Sequence, residues 1–225
     1  LDIHPTSPLP PANSHLVLQD ISTLTTQLTQ VRQAGCFAIT VQTEPANTNP
    51  LEAAIISIAL SSKTNQSIYL PIGHSTGVNL SLDSILNQLK PILEDPTLTK
   101  IVHDLKPLIH FFAPYGINIK GPIIDTLLAD YLLAPDERPH SLSAQAQYYL
   151  AYQLPPLEDL LGKGQERIAL ANIPPEEAAA YFGSLATTIL CLQDHLEPQL
   201  EQHQVRSLYD KIELPLVPIL ASMEK

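Results

Sequence analysis

Between Lys100 and Gly116 a β-branched run, Lys100-Ile101-Val102-His103, passes straight into an apolar stripe at helical spacing, formed by Leu105, Leu108, Ile109 and Phe112. A short buried strand feeding directly into an amphipathic helix belongs to layered α/β architectures, where the helix must fold back onto the sheet. Gly116 supplies the stop, because a helix end commonly needs a left-handed residue.

The other segments fit around this junction. Leu16 to Val31 carries apolar residues at helical spacing and ends at Gly35, so it reads as a helix. Cys36 to Val41, Ala54 to Ser61 and Ser67 to Pro71 read as strands, the last two forming a hairpin through Ser62-Lys63-Thr64-Asn65. Leu80 to Leu93 reads as a helix, as do Asp125 to Leu133, Ser141 to Tyr149 and Asn172 to Glu201. In the last of these, Pro174 and Pro175 fall in the first turn, where the missing N–H is tolerated, and Glu176 and Glu177 suit the positive helix start. Leu208 to Met223 begins one more helix, interrupted by Pro215 and Pro218. The expected class is therefore α/β, a mixed sheet flanked by helices with a helical C-terminal half. No internal repeat is visible.

Composition narrows the functions. With 44% hydrophobic and 16% charged residues over 225 positions, the chain can bury a core and is not a disordered sequence. The longest mainly apolar stretch, Ala53 to Leu60, is too short to span a bilayer. There is no signal-peptide pattern, and the first residue is Leu, so a segment of a longer cytoplasmic protein is expected. A net charge of −11 without a Lys/Arg cluster argues against tight independent binding of nucleic acid. Cys36 and Cys191 lie in apolar segments without metal-ligand spacing and read as buried free thiols. His103, His110, His195 and His203 form no metal-binding pair, and no phosphate loop or nucleophile elbow is present.

Four segments, taken in order, carry a resemblance. They are Phe37-Ala38-Ile39-Thr40-Val41-Gln42-Thr43-Glu44, then Lys100-Ile101-Val102-His103-Asp104-Leu105-Lys106-Pro107-Leu108, then Ile124-Asp125-Thr126-Leu127-Leu128, and Tyr181-Phe182-Gly183-Ser184-Leu185. A tail, Glu213-Leu214-Pro215-Leu216-Val217-Pro218, follows them. Together they resemble the 3′–5′ exonuclease region of bacterial DNA polymerase I, from residue 16 to the end. The resemblance implies a ribonuclease-H-like exonuclease fold. In active relatives the segments read Asp-x-Glu, Lys-Val-Gly-x-Asn-x-Lys-x-Asp, Phe-Asp-Thr and Tyr-x-x-x-Asp. Their carboxylates hold two divalent metals that activate water and stabilise the leaving oxygen.

Here Thr40 stands for the Asp and Gln42 for the Glu of the first motif, Leu108 replaces the carboxylate of the second, and Tyr181 is kept while Leu185 replaces the last Asp. No catalytic residue, metal or cofactor is therefore expected in this domain, and the old cleft is expected to have become apolar core. Mg²⁺ is expected only for the parent polymerase. A rebuilt site would draw on Glu44, Asp104 and Asp125. The plainer reading makes Glu44 a strand-end surface residue and Asp104 and Asp125 helix caps.

The expected layout is a Pro-rich linker at 1–14, the exonuclease-like domain at 15–204 and a connecting helix at 205–225. By the resemblance, that helix leads into a polymerase domain and a 5′ nuclease domain precedes the linker. The expected function is structural support for polymerase action in replication and repair, in a monomer that meets DNA through the parent enzyme and has no membrane partner. The rival readings are a weak exonuclease using the relocated carboxylates, a module that holds single-stranded DNA without cutting, and a scaffold unrelated to polymerases.

Overall fold

The computed structural model describes residues 14–44, 53–136 and 138–224. The stretch read as a linker lies outside them except for Ser14, which opens the first strand. Six strands form one sheet: β1 (Ser14–Val17), β2 (Cys36–Glu44), β3 (Ala54–Lys63), β4 (Gln66–Pro71), β5 (Thr99–Val102) and β6 (Ile123–Asp125), in the order β1-β4-β3-β2-β5-β6. β2, β3 and β4 pair antiparallel, while β1 with β4, β2 with β5 and β5 with β6 pair parallel. The sheet is mixed, as the sequence predicts.

Alternation along the strands sorts side chains onto two faces. Phe37, Ile39, Ile58 and Leu60 face one core with helices α1 (Ile21–Ala34), α2 (Leu82–Leu93) and α3 (Leu105–Phe112). The intervening Ala38 and Ala59 face the long helix α7 (Pro175–Gln202). The face of α7 toward the sheet carries Ala179, Gly183 and Ala186, small residues that let the helix lie close. A Cβ at Gly183 would collide with the side chains of Ser67 and His15. Helices α4 (Thr126–Leu133) and α5 (Leu142–Leu150) pack against α7 around Ala129, Tyr149, Leu192 and Leu196, and Tyr209 closes that cluster.

Three expectations are corrected. Leu16 does not begin a helix: it sits in β1, and the helix starts after Asp20, whose carboxylate accepts a hydrogen bond from Thr23 N. A three-residue strand, β6, precedes α4, and a short helix α6 (Leu157–Leu161) follows α5; both are too brief to show a period. The C-terminal helix is not broken by its prolines. It runs from α8 (Arg206–Leu208) through a π-helical turn (Tyr209–Glu213) into α9 (Leu214–Met223). Pro215 cannot donate to the carbonyl four residues back and crowds it, and the wider turn just before it accommodates that.

Lys100, which opens the second motif, is fully buried, and its Nζ donates to the carbonyl oxygens of Asp95, Leu98 and Lys120. It thereby ties the start of β5 to the loops on either side. Among the described residues no helix is long and apolar enough to cross a membrane.

Candidate nuclease groove

Thr40, Gln42 and Glu44 lie at alternate positions near the end of β2, on the side of the sheet covered by α7. With Phe182, Leu185 and Ile189 of α7, His103 and Phe111 beside and on α3, and Leu157 and Leu161 of α6, they line an open groove of about 730 Å³. The cleft has therefore not closed into core as expected; it stays open with a mainly apolar lining. Leu108 is the exception among the replaced positions: it is buried in the core on the other side of the sheet, with Leu105 and Phe112. Tyr181 is half-buried against the α7 core and stacks edge-on with Phe182, ring centroids 5.0 Å apart, rather than lining the groove.

The polar floor of the groove is uncharged and internally satisfied. Gln42 is buried; its Nε2 donates to Thr40 Oγ1 at 2.9 Å, and its Oε1 accepts from Ser57 Oγ at 2.9 Å. Ser57 is the residue directly opposite Gln42 on β3. His103 places Nδ1 2.9 Å from Thr126 Oγ1, and burial pulls its pKa down to about 4, so its ring is neutral near pH 7. Glu44 is half-buried rather than a surface residue: its two oxygens accept from Leu170 N and Ala171 N at 2.9 and 3.2 Å, which fixes the turn that borders the groove.

The other two carboxylates face elsewhere. Asp104 and Asp125 border a separate apolar pocket of about 320 Å³ beside α4 and α9, with Tyr131, His140, Val217 and Leu220. Asp125 caps α4 through Leu127 N and Leu128 N, as expected. It also accepts from Asp104 N and Leu105 N at the start of α3. Asp104 thus holds the N-cap position of α3 without capping it: its side chain makes no cap bond, and its backbone sits at φ 69°, uncommon for a residue with a side chain. The structure therefore splits Glu44 from Asp104 and Asp125. Among the described residues, no three or more His, Cys, Asp or Glu side chains are placed to share a metal ion.

Several participants left no trace in the sequence. Ser57, Phe111, Ser141, Leu142 and Arg167 reach the groove or its floor from distant segments, and only the pairing register could have found Ser57. A buried network also escaped notice: Asp130, fully enclosed, accepts from Arg138, from Tyr149 OH at 2.8 Å and lies 2.7 Å from His140 Nδ1. Its one signal was an Asp within the apolar run Leu127 to Leu133. Cys36 and Cys191 are free, and burial pushes both thiols up, Cys191 to about 11.

The overall fold recurs in solved structures. A chain described as the POL domain of Pol1 from M. smegmatis, in complex with DNA primer-template and dNTP, superposes with a TM-score of 0.70 at 22% identity, over 92% of this chain and 31% of that one. Escherichia coli RNase D, an exoribonuclease, superposes with a TM-score of 0.62 at 16% identity over 84% of this chain and 45% of that one. Brucella melitensis NrnC with bound Mg²⁺ gives 0.63 at 18% identity, over 94% and 91%. The fold is that of the ribonuclease-H-like 3′–5′ exonucleases.

The sequence is more specific. The 3′–5′ exonuclease family matches residues 17–201. DNA polymerase I of Chloroflexus aurantiacus is 30% identical over 98% of this chain and 23% of its own length, and that of Pseudomonas aeruginosa is 32% identical over 83% and 21%. The chain belongs to the 3′–5′ exonuclease domain family of bacterial DNA polymerase I, and it spans about a fifth of the length of these curated relatives.

Proposed function

We propose that this domain is catalytically silent and serves as structural support for the polymerase portion of a DNA polymerase I, whose replication and repair synthesis belong to the parent polypeptide. One observation carries the reading. Where the family has its Asp-x-Glu pair, Thr40 and Gln42 spend their polar atoms on each other and on Ser57. Two divalent ions need hard, anionic oxygen ligands. The groove offers neutral Thr40, Gln42, His103 and Leu185, with Glu44 already bound to two backbone N–H groups. These residues do not fit the ions. Asp104 and Asp125 do not restore the set, since they border a different pocket and Asp125 is held by four backbone N–H groups.

The open groove gives one observation in favour of a module that holds single-stranded DNA without cutting. Arg167 is exposed at its edge, but a net charge of −11 weighs against a strand held by its phosphates. An exonuclease assay on a 3′-labelled single strand with Mg²⁺ or Mn²⁺ tests the proposal. Degradation no greater than with EDTA is expected. Metal-dependent shortening that disappears in a Glu44→Ala, Asp104→Ala double variant would overturn the silent-domain reading. Salt-sensitive retention of the strand without shortening would favour the holding module instead.

A further inference from the structure

The open groove keeps one charged group that no partner answers. Of the four arginines, Arg32 grips Asp95, Arg138 grips Asp130, and Arg206 grips Glu197 and Asp210. Arg167 alone makes no ion pair among the described residues, and it stands exposed at the edge of the groove. Glu44, the carboxylate in the lining, is already held by Leu170 N and Ala171 N. His103 is neutral near pH 7, and Thr40 and Ser57 are both bonded to Gln42. The walls are apolar: Phe111, Leu142, Leu157, Leu161, Phe182 and Leu185 converge from α3, α5, α6 and α7. A space of about 730 Å³ falls within the roughly 300–1,000 Å³ of small-molecule sites, which pair an apolar lining with a few placed polar groups.

Apolar walls favour a ligand with an apolar body, which leaves water as it enters. A lone guanidinium favours a single planar anion, which it can hold through two parallel N–H donors. A strand of phosphates would need a row of cations, and the lining has one. An alkyl cation would be repelled by Arg167 and would find Glu44 already engaged. We infer that the groove is a binding site for a free medium-chain monocarboxylate, with the alkyl chain against the leucine and phenylalanine walls and the carboxylate on Arg167. Leu185 contributes twice: its side chain adds to the wall, and it removes the anion that the family motif carries at this position. The inference rests on the silent reading of the groove, because a cluster of metal-binding carboxylates there would repel another carboxylate.

The test uses the full-length polypeptide and decanoate carrying a photoreactive diazirine at its far end, kept well below micelle formation, with adducts mapped by mass spectrometry. Adducts are expected on the groove segments of α6 or α7, saturating with concentration. Plain decanoate should displace them and decyltrimethylammonium should not. Arg167→Gln should raise the half-saturating concentration on the order of ten-fold, because it removes a charge-assisted contact. Arg167→Glu should reverse the preference between the two amphiphiles. Arg167 is exposed, so both variants keep the packed walls of the groove. Equal displacement by the two amphiphiles, adducts confined to other parts of the polypeptide, or an unchanged half-saturation in Arg167→Gln would overturn the inference. The exonuclease assay separates the two failures. Metal-dependent shortening would overturn the silent reading and this inference with it, whereas absent groove adducts beside absent shortening would overturn this inference alone.

Discussion

Gln42 shows how a single replacement can be read differently in sequence and in space. In the sequence it is a lost charge; in the structure it is a buried amide saturated by Thr40 and Ser57. His103 is the residue in the groove with a measurable consequence. Its pKa falls from the ordinary 6.5 to about 4 because burial penalises the imidazolium. The unfolded chain therefore binds a proton that the folded chain refuses between these values. The stability this contributes is complete above about pH 6.5 and is lost as pH falls toward 4. His74 and His15 shift in the same direction for the same cause. Between pH 7 and pH 5, His103 alone should remove about 2 kcal/mol of unfolding free energy. Urea denaturation of the parent and of His103→Gln at both pH values checks this: the variant should show a loss smaller by about that amount, and parallel losses would contradict it. At this scale Thr40, Gln42 and Leu185, which only the family resemblance singled out, line one groove, because their strand and helix face each other there. Asp104 stands at the N-cap position as read, but Asp125 takes the cap bonds, since which of two nearby acids caps α3 depends on the approach of β6 to β5, a tertiary contact.

At the scale of elements, the long segments were legible and the short ones were not. α2, α3, α5 and α7 were readable because an apolar stripe sustained over two turns or more outweighs local ambiguity. β1, β6 and α6 were not, because three to five residues carry no period and take their form from a neighbour already in place. The C-terminal prolines misled for another reason: a π-helical turn removes the conflict that Pro215 would cause in a regular helix. The crossing of α7 over β1 and β4 gives this scale its prediction. Gly183 sits where a methyl group would meet Ser67 and His15, themselves held 2.7 Å apart. Alanine ordinarily favours a helix by about 1 kcal/mol over glycine, but overpacking costs about 1–3 kcal/mol. Because both neighbours are already engaged in the sheet, the collision should win, and Gly183→Ala should lower the melting temperature. A higher melting temperature would mean that the close approach is not what the glycine serves.

Across the whole molecule, the architecture follows from two faces of one sheet. α1, α2 and α3 cover one face, and α7 with its attendant helices covers the other. This layering was legible because strands and helices alternate in the right order. The groove's fate was not: whether leucines fill a cleft or merely line it depends on distances between α6, α7 and β2 that no periodicity encodes. The outcome is an open groove whose floor carries hydrogen bonds in place of charge. A direct measurement of metal binding bears on this most closely. Mn²⁺ titrated into the protein and followed by electron paramagnetic resonance should show only weak, surface-type binding in the millimolar range, unchanged by Glu44→Ala or Asp104→Ala. A site of micromolar affinity that either substitution abolishes would contradict the account, for it would mean that the neighbouring carboxylates had moved together to replace those lost at Thr40, Gln42, Leu108 and Leu185.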